Sequence, residues 1–199
     1  FHAFGLYGGI RISSGCRAID LWRNGHWNTG LRIGCIGITG FIQNMEVSSP
    51  GRICLFGEHQ DYLGLPVIPM AISLRARISG VSGKDQKIII QKPDINETES
   101  FHLDQLEYSR PRDYFKSGIR ICQKEGLIFS KGFECEITSE IPFQAGTSSS
   151  SAIMVSWIYF LSQMSDNPAD WNRQKVGELA YKAEVEEFKE PGGMMDQYS

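Results

Sequence analysis

Apolar positions along the chain keep no sustained period before residue 45 and a readable one after it. From Val47 to Phe56 the apolar residues are interrupted by SSPG (48–51), which predicts two short strands around a turn. VIPMAI (67–72) predicts a buried strand. RARISGVS (75–82) alternates, meets a turn at GKD (83–85) and is followed by KIIIQK (87–92), the pattern of a β-hairpin. ESFHL (99–103) predicts one more short strand. Pro111 to Glu125 predicts a helix: Pro111 suits its first turn, Tyr114, Phe115, Ile119 and Cys122 share a face, and Gly126 ends it. GFECEIT (132–138) alternates strictly, as a strand with one exposed face does. Ala152 to Met164 is long and apolar enough for a buried helix. Residues 172–189 predict an amphipathic helix with Val176, Leu179, Ala180 and Ala183 on one side, broken by Pro191, Gly192 and Gly193. Strands first, then strands mixed with helices, predict an α+β fold with helices on one face of a mostly antiparallel sheet.

Composition narrows the class. The 199 residues are 41% hydrophobic and 22% charged, values of an ordinary globular chain with a real core. A net charge of −3 gives no basis for a nucleic-acid surface. No apolar run approaches the roughly 18 residues that span a bilayer, so no membrane partner is expected. The five cysteines (Cys16, Cys35, Cys54, Cys122, Cys135) are odd in number and form no C-x-x-C pair, which predicts reduced thiols in a cytoplasmic protein.

Residues 1–44 differ from the rest: they hold 9 of the 21 glycines, four arginines, no lysine and one acidic residue, Asp20. This predicts a boundary, with residues 1–44 a read-through upstream of a start at Met45 and residues 45–199 the domain. A native Gly-rich extension, or an extra strand pair using RIGCIGI (32–38), is the alternative. The stop at DQYS (196–199), just past a motif, predicts a fragment.

Three constellations carry chemistry. PFQAGTSSSSAIM (142–154) places four serines where a helix begins. Serine is a poor interior helix residue and a good capping one. A loop between strand and helix there aims backbone N–H groups and the positive helix end at one point, an anion site; a plain Ser-rich cap is the other reading. SPGRICLFGEHQDYLG (49–64) gathers Arg52, Glu58, His59, Asp61 and Tyr62 between glycines. Carboxylates and imidazole suit sugar hydroxyls, and Arg52 suits phosphate charge; a solvated charged loop competes with that reading. In EVEEFKEPGGMMD (184–196), Asp196 follows an apolar Met pair, where a carboxylate can act as a base or hold a catalytic water or hydroxyl, and Glu184 on the preceding helix suits Mg²⁺; ordinary surface acid on an amphipathic helix competes, more strongly for Glu186 and Glu190 than for Asp196.

In this order the three motifs resemble the GHMP kinase family. PGRICLFGEHQDY (50–62) is similar to the substrate-binding signature of galactokinases, with Cys54 where Asn is usual and Gln60 as a second departure. PFQAGTSSSSA (142–152) resembles the family's phosphate loop, with Gln144, Thr147 and Ser151 as departures. KAE (182–184) to GGMMDQ (192–197) resembles the third stretch, with Glu184 and Asp196 twelve apart. The resemblance implies the family's N-terminal α+β domain, a ribosomal small-subunit protein domain-2-like fold with a left-handed βαβ crossover, and a C-terminal domain missing here. It implies ATP over Gly146, Thr147, Ser148, Ser149, Ser150 and Ser151, and Mg²⁺ held by Ser150 and Glu184. It implies a sugar held by Glu58, His59, Asp61 and Tyr62, and catalysis by Asp196 as base with Arg52 beside it. The expected activity is phosphorylation of a sugar hydroxyl, of galactose or a related sugar, with the fragment itself inactive. A non-catalytic sugar and ATP sensor of the same family and a mevalonate-type kinase are the alternatives.

Overall fold

The computed structural model describes residues 11–14, 18–19, 44–142 and 145–199. The segment RIGCIGI and the residues Cys16, Cys35 and Gln144 lie outside the described residues. The strands are β1 (Arg11–Ser14), β2 (Ala18–Ile19), β3 (Asn44–Phe56), β4 (Ile68–Ser82), β5 (Lys87–Lys92), β6 (Glu97–His102) and β7 (Phe133–Ser139). They form one seven-stranded sheet in the order β2-β1-β3-β4-β7-β5-β6. Every pairing is antiparallel except β5 with β7. The helices are α1 (Tyr114–Lys124), α2 (Ser149–Met164), α3 (Arg173–Tyr181) and the single turn α4 (Met195–Tyr198).

The core lies between the sheet and the helices. Alternation in β7 puts Phe133, Cys135 and Ile137 inward and Glu134 and Glu136 outward. Ile88, Ile90 and Ile78 complete that inner face. Against it sits α2, whose fully buried Trp157 and Phe160 stack at 5.9 Å; Phe133 meets both edge-on and Phe115 meets Trp157. The Trp157 indole N–H donates to the Phe115 carbonyl at 3.1 Å, so the ring is buried without an orphaned donor. Helix α1 lies close to α2 because Gly118 faces that ring; a Cβ there would come within 2.6 Å of it. Val176, Leu179, Ala180 and Ala183 are all fully buried, as their spacing predicts. Among the described residues no helix is long and apolar enough to cross a membrane.

Several local expectations are corrected. SSPG is no turn: β3 is one strand of 13 residues, and the irregularity is a register shift between Pro50 and Arg52, with the extra residues on the facing β4. Proline has no N–H to give the ladder, and a break in register removes the need for one. The segments 67–72 and 75–82 belong to a single strand, β4, whose first residue Ile68 is exposed. The chain does turn at GKD, yet β4 and β5 are no hairpin, because β7 lies between them. The entry of β7 is pinned by Gly83 N–H to the Gly132 carbonyl (2.8 Å) and Gly132 N–H to the Asp85 carbonyl (2.6 Å). Helix α1 starts at Tyr114, leaving Pro111 before its first turn, and Tyr114 and Phe115 are only half-buried. The helix predicted over 172–189 stops at Tyr181 and continues as a π-helical turn, Lys182–Glu186. Such turns rotate the residues that follow and recur at functional sites; here the turn carries Glu184.

Candidate active site

At the register shift, where Gly51 alone faces the extra residues of β4, Gly51 lies close against the Thr147 carbonyl and Arg52 faces the loop that precedes α2. The Arg52 amide donates to the Thr147 carbonyl at 3.1 Å, and its Nη1 donates to the Gly146 carbonyl at 2.7 Å. The same guanidinium grips Asp196: Nε donates to Oδ1 at 2.7 Å and Nη2 donates to the same oxygen. Glu58 stands 3.9 Å from Nη2 at the solvent side. Arg52 is only 6% exposed, so its charge is held by three hydrogen bonds to two fixed acceptors, Asp196 Oδ1 and the Gly146 carbonyl, rather than by water.

Gly146 and Ser148 both take left-handed backbone, φ +67° and +56°, and so bend the loop into the start of α2. The serines are therefore the first turn of the helix and not a linker. A first turn leaves its N–H groups without intrahelical partners. The Ser148 and Ser149 hydroxyls are buried and unpartnered as well. Donors converge there with no acceptor, and the helix end adds positive potential. Of the loop residues expected at this point, Gly146, Thr147, Ser148, Ser149, Ser150 and Ser151 all lie on this one bend or the turn after it.

Glu184 faces the same turn from below. It is 6% exposed, and burial raises its carboxyl above the usual range against hydrogen bonds from Gln197, Ser150 and Ser151. The Gln197 amide donates to Glu184 Oε2 at 2.8 Å and reaches Ser151 Oγ at 3.4 Å. Among the described residues no group of three or more His, Cys, Asp or Glu side chains gathers as a metal site. A buried carboxylate beside a serine hydroxyl nevertheless fits Mg²⁺, which takes one or two protein ligands and fills its shell with phosphate oxygens and water.

The loop after β3 carries the remaining candidates. Asp61 begins a 3₁₀ turn, Asp61–Leu63, and its Oδ2 accepts the Met195 amide at 3.0 Å. Glu58, His59 and Tyr62 are exposed on that loop, with His59 at φ +58°. The fold thus brings Arg52, Glu58, Asp61, Glu184 and Asp196 together from segments up to 144 residues apart. Gln197 was not singled out by sequence reasoning. Its signal was present in its place directly after Asp196, at a spacing from Glu184 that only the turn of α4 makes meaningful.

Two family descriptions match the chain: the GHMP kinases N terminal domain over residues 113–199 and the galactokinase galactose-binding signature over residues 42–80. A galactokinase of Pyrococcus furiosus is 34% identical over 159 residues, 79% of this chain and 44% of that protein. One of Actinobacillus succinogenes is 29% identical over 157 residues, 77% of this chain and 40% of that protein. The chain therefore spans less than half the length of these relatives. The crystal structure of Lactococcus lactis galactokinase complexed with galactose superposes with a TM-score of 0.70 at 28% identity, covering 78% of this chain and 41% of that one. Methanococcus jannaschii mevalonate kinase gives 0.69 at 25% identity, covering 78% of this chain and 50% of that one. The sheet and its helices, the three motifs in order and these matches make the chain a member of the GHMP kinase family, carrying its N-terminal domain and the galactokinase signature.

Proposed function

We propose that this chain holds the reacting groups of an ATP-dependent kinase that phosphorylates a hydroxyl of galactose or a related sugar, giving the sugar 1-phosphate. The observation that carries this reading is Arg52, bonded at once to Asp196 and to the Gly146 carbonyl of the serine turn. It ties a carboxylate to the place where phosphate oxygens find free donors. The first-turn N–H groups and the Ser148 and Ser149 hydroxyls receive those oxygens. Ser150 and Glu184 hold Mg²⁺, which supplies charge neutralisation on the transferring phosphoryl group when bound. Asp196 orients the sugar hydroxyl and takes its proton, and Arg52 fixes Asp196 while offsetting charge that develops on transfer. Glu58, His59, Asp61 and Tyr62 form the sugar side, on the loop within the galactose-binding signature. The small-molecule partners are then a sugar and ATP, in the cytoplasm.

The mevalonate-type alternative draws support from the fold alone, whereas the signature at residues 42–80 supports a sugar. The sensor alternative is disfavoured by the intact Arg52–Asp196 pair. ADP formation from MgATP by the full-length protein, with and without galactose, tests the reading. Galactose-dependent ADP formation with a phosphorylated sugar product is expected; ATP and sugar binding without product would make the protein a sensor.

A further inference from the structure

Asp61 sits in the sugar-side loop, yet one of its oxygens is already committed inside the protein. Oδ2 accepts the N–H of Met195, the residue immediately before Asp196, at 3.0 Å and across 134 residues of chain. That N–H opens the single turn α4 and has no partner within it. A second observation points to the same contact. A Cβ added at Gly193 would lie 2.0 Å from Asp61 Oδ2 and 2.1 Å from its Cγ, so the carboxyl rests on bare backbone. On the far side of this stretch, the Tyr181 hydroxyl donates to the Gly192 carbonyl at 3.2 Å. Residues 192–195 are thus held between α3 and the loop after β3.

We propose that Asp61 is a positioning residue for Asp196: its Oδ2 clamps the Met195 amide and thereby sets where the Asp196 carboxylate points, leaving Oδ1 for a ligand. Gly193 is the clearance that makes the clamp possible. The link to catalysis rests on the sugar-kinase reading above; the clamp itself does not. A side chain that touches the sugar with one oxygen and the base-bearing turn with the other ties sugar placement to base placement. Loss of Asp61 then lowers kcat as well as raising the sugar KM, which a pure sugar ligand has less reason to do.

The test pairs amide hydrogen exchange at Met195, read by NMR without ligand, with steady-state kinetics of the full-length protein. Asp61→Ala should speed Met195 exchange on the order of tenfold, the equivalent of one lost hydrogen bond, and lower kcat. Asp61→Asn keeps an acceptor oxygen, so it should restore most of the Met195 protection and retain more of kcat than Asp61→Ala while still raising the sugar KM. Gly193→Ala should reproduce the Asp61→Ala exchange rate with the carboxylate present, and it carries the test if Asp61→Ala does not fold. Met195 exchange that is the same in wild type, Asp61→Ala and Gly193→Ala overturns the clamp and leaves the sugar-kinase reading standing. Faster exchange with kcat unchanged overturns the positioning role. A Met195 amide that responds to Asp61→Ala in a protein that phosphorylates no sugar supports the clamp and overturns the sugar-kinase reading.

Discussion

The two ends of β3 belong to different worlds. At its start, Met45 and Val47 are buried in an apolar core, and Ser49 is absorbed by α2, donating to the Ala152 carbonyl and sharing a 2.7 Å bond with Ser156. Past the register shift, Arg52 meets carbonyls and a carboxylate, and Leu55 and Phe56 are exposed. The first region is held by shape: interlocked rings around Trp157, whose indole donor is locally satisfied. The second is held by charge and backbone hydrogen bonds, with left-handed residues at His59 and Ser148 and orphaned hydroxyls at the serine turn. Close packing resides in one and the candidate site in the other, and one strand connects them.

That division can be broken by experiment. The largest effect is expected in the core: Trp157→Ala should cost about 3–5 kcal/mol, lowering the melting temperature by on the order of 10 °C in a calorimetric scan. A shift of only a degree or two would mean that the ring cluster is not what holds the sheet to α2. Next is Asp196→Asn in the full-length protein, which should reduce kcat by ~10² or more with galactose binding largely kept. Turnover within a few-fold of wild type would remove Asp196 from the base role. Glu184→Gln should have a smaller effect, raising several-fold the Mg²⁺ concentration for half-maximal ATP use with the galactose KM unchanged. An unaltered Mg²⁺ titration would take Glu184 out of the metal site. The smallest is expected from deleting residues 1–44. Their described strand β1 adds to the outer edge of β3 by pairing Arg11–Ser14 with Met45–Ser48, away from the helices. A chain starting at Met45 should melt within a few degrees of the longer one; unfolding on deletion would make residues 1–44 part of the domain.

Sequence reading did best where the physics is local. The alternation of β7, the apolar run of α2 and the buried side of α3 each follow from a period that one element imposes on its own residues. Among the described cysteines, burial pushes Cys122 and Cys135 well above the usual thiol range. Strand order was not legible. A turn at GKD looks the same whether its strands pair or part to admit a third, and the decision rests with residues 132–139, some fifty positions on. At the site, motif spacing named Arg52, the serines, Glu184 and Asp196. It could not show that Asp61 spends an oxygen on Met195, or that Gln197 bonds Glu184, because both depend on the placement of α4.

The late arrival of β7 also shapes how the molecule must be made. β3 with β4, and β5 with β6, are antiparallel neighbours joined by short connections, so each pair can zip from its own turn. Neither pair can join the other until residue 139 exists, because among the described strands the bridge between them is β7. On a ribosome the growing chain therefore carries two open strand edges through the synthesis of α1, the very edges on which foreign strands recruit. The slow step of refolding is then the insertion of β7 as a keystone. Pulse-labelled exchange should protect amides of β3–β4 and β5–β6 before those of β7; simultaneous protection of all five strands would mean that the sheet closes in one event.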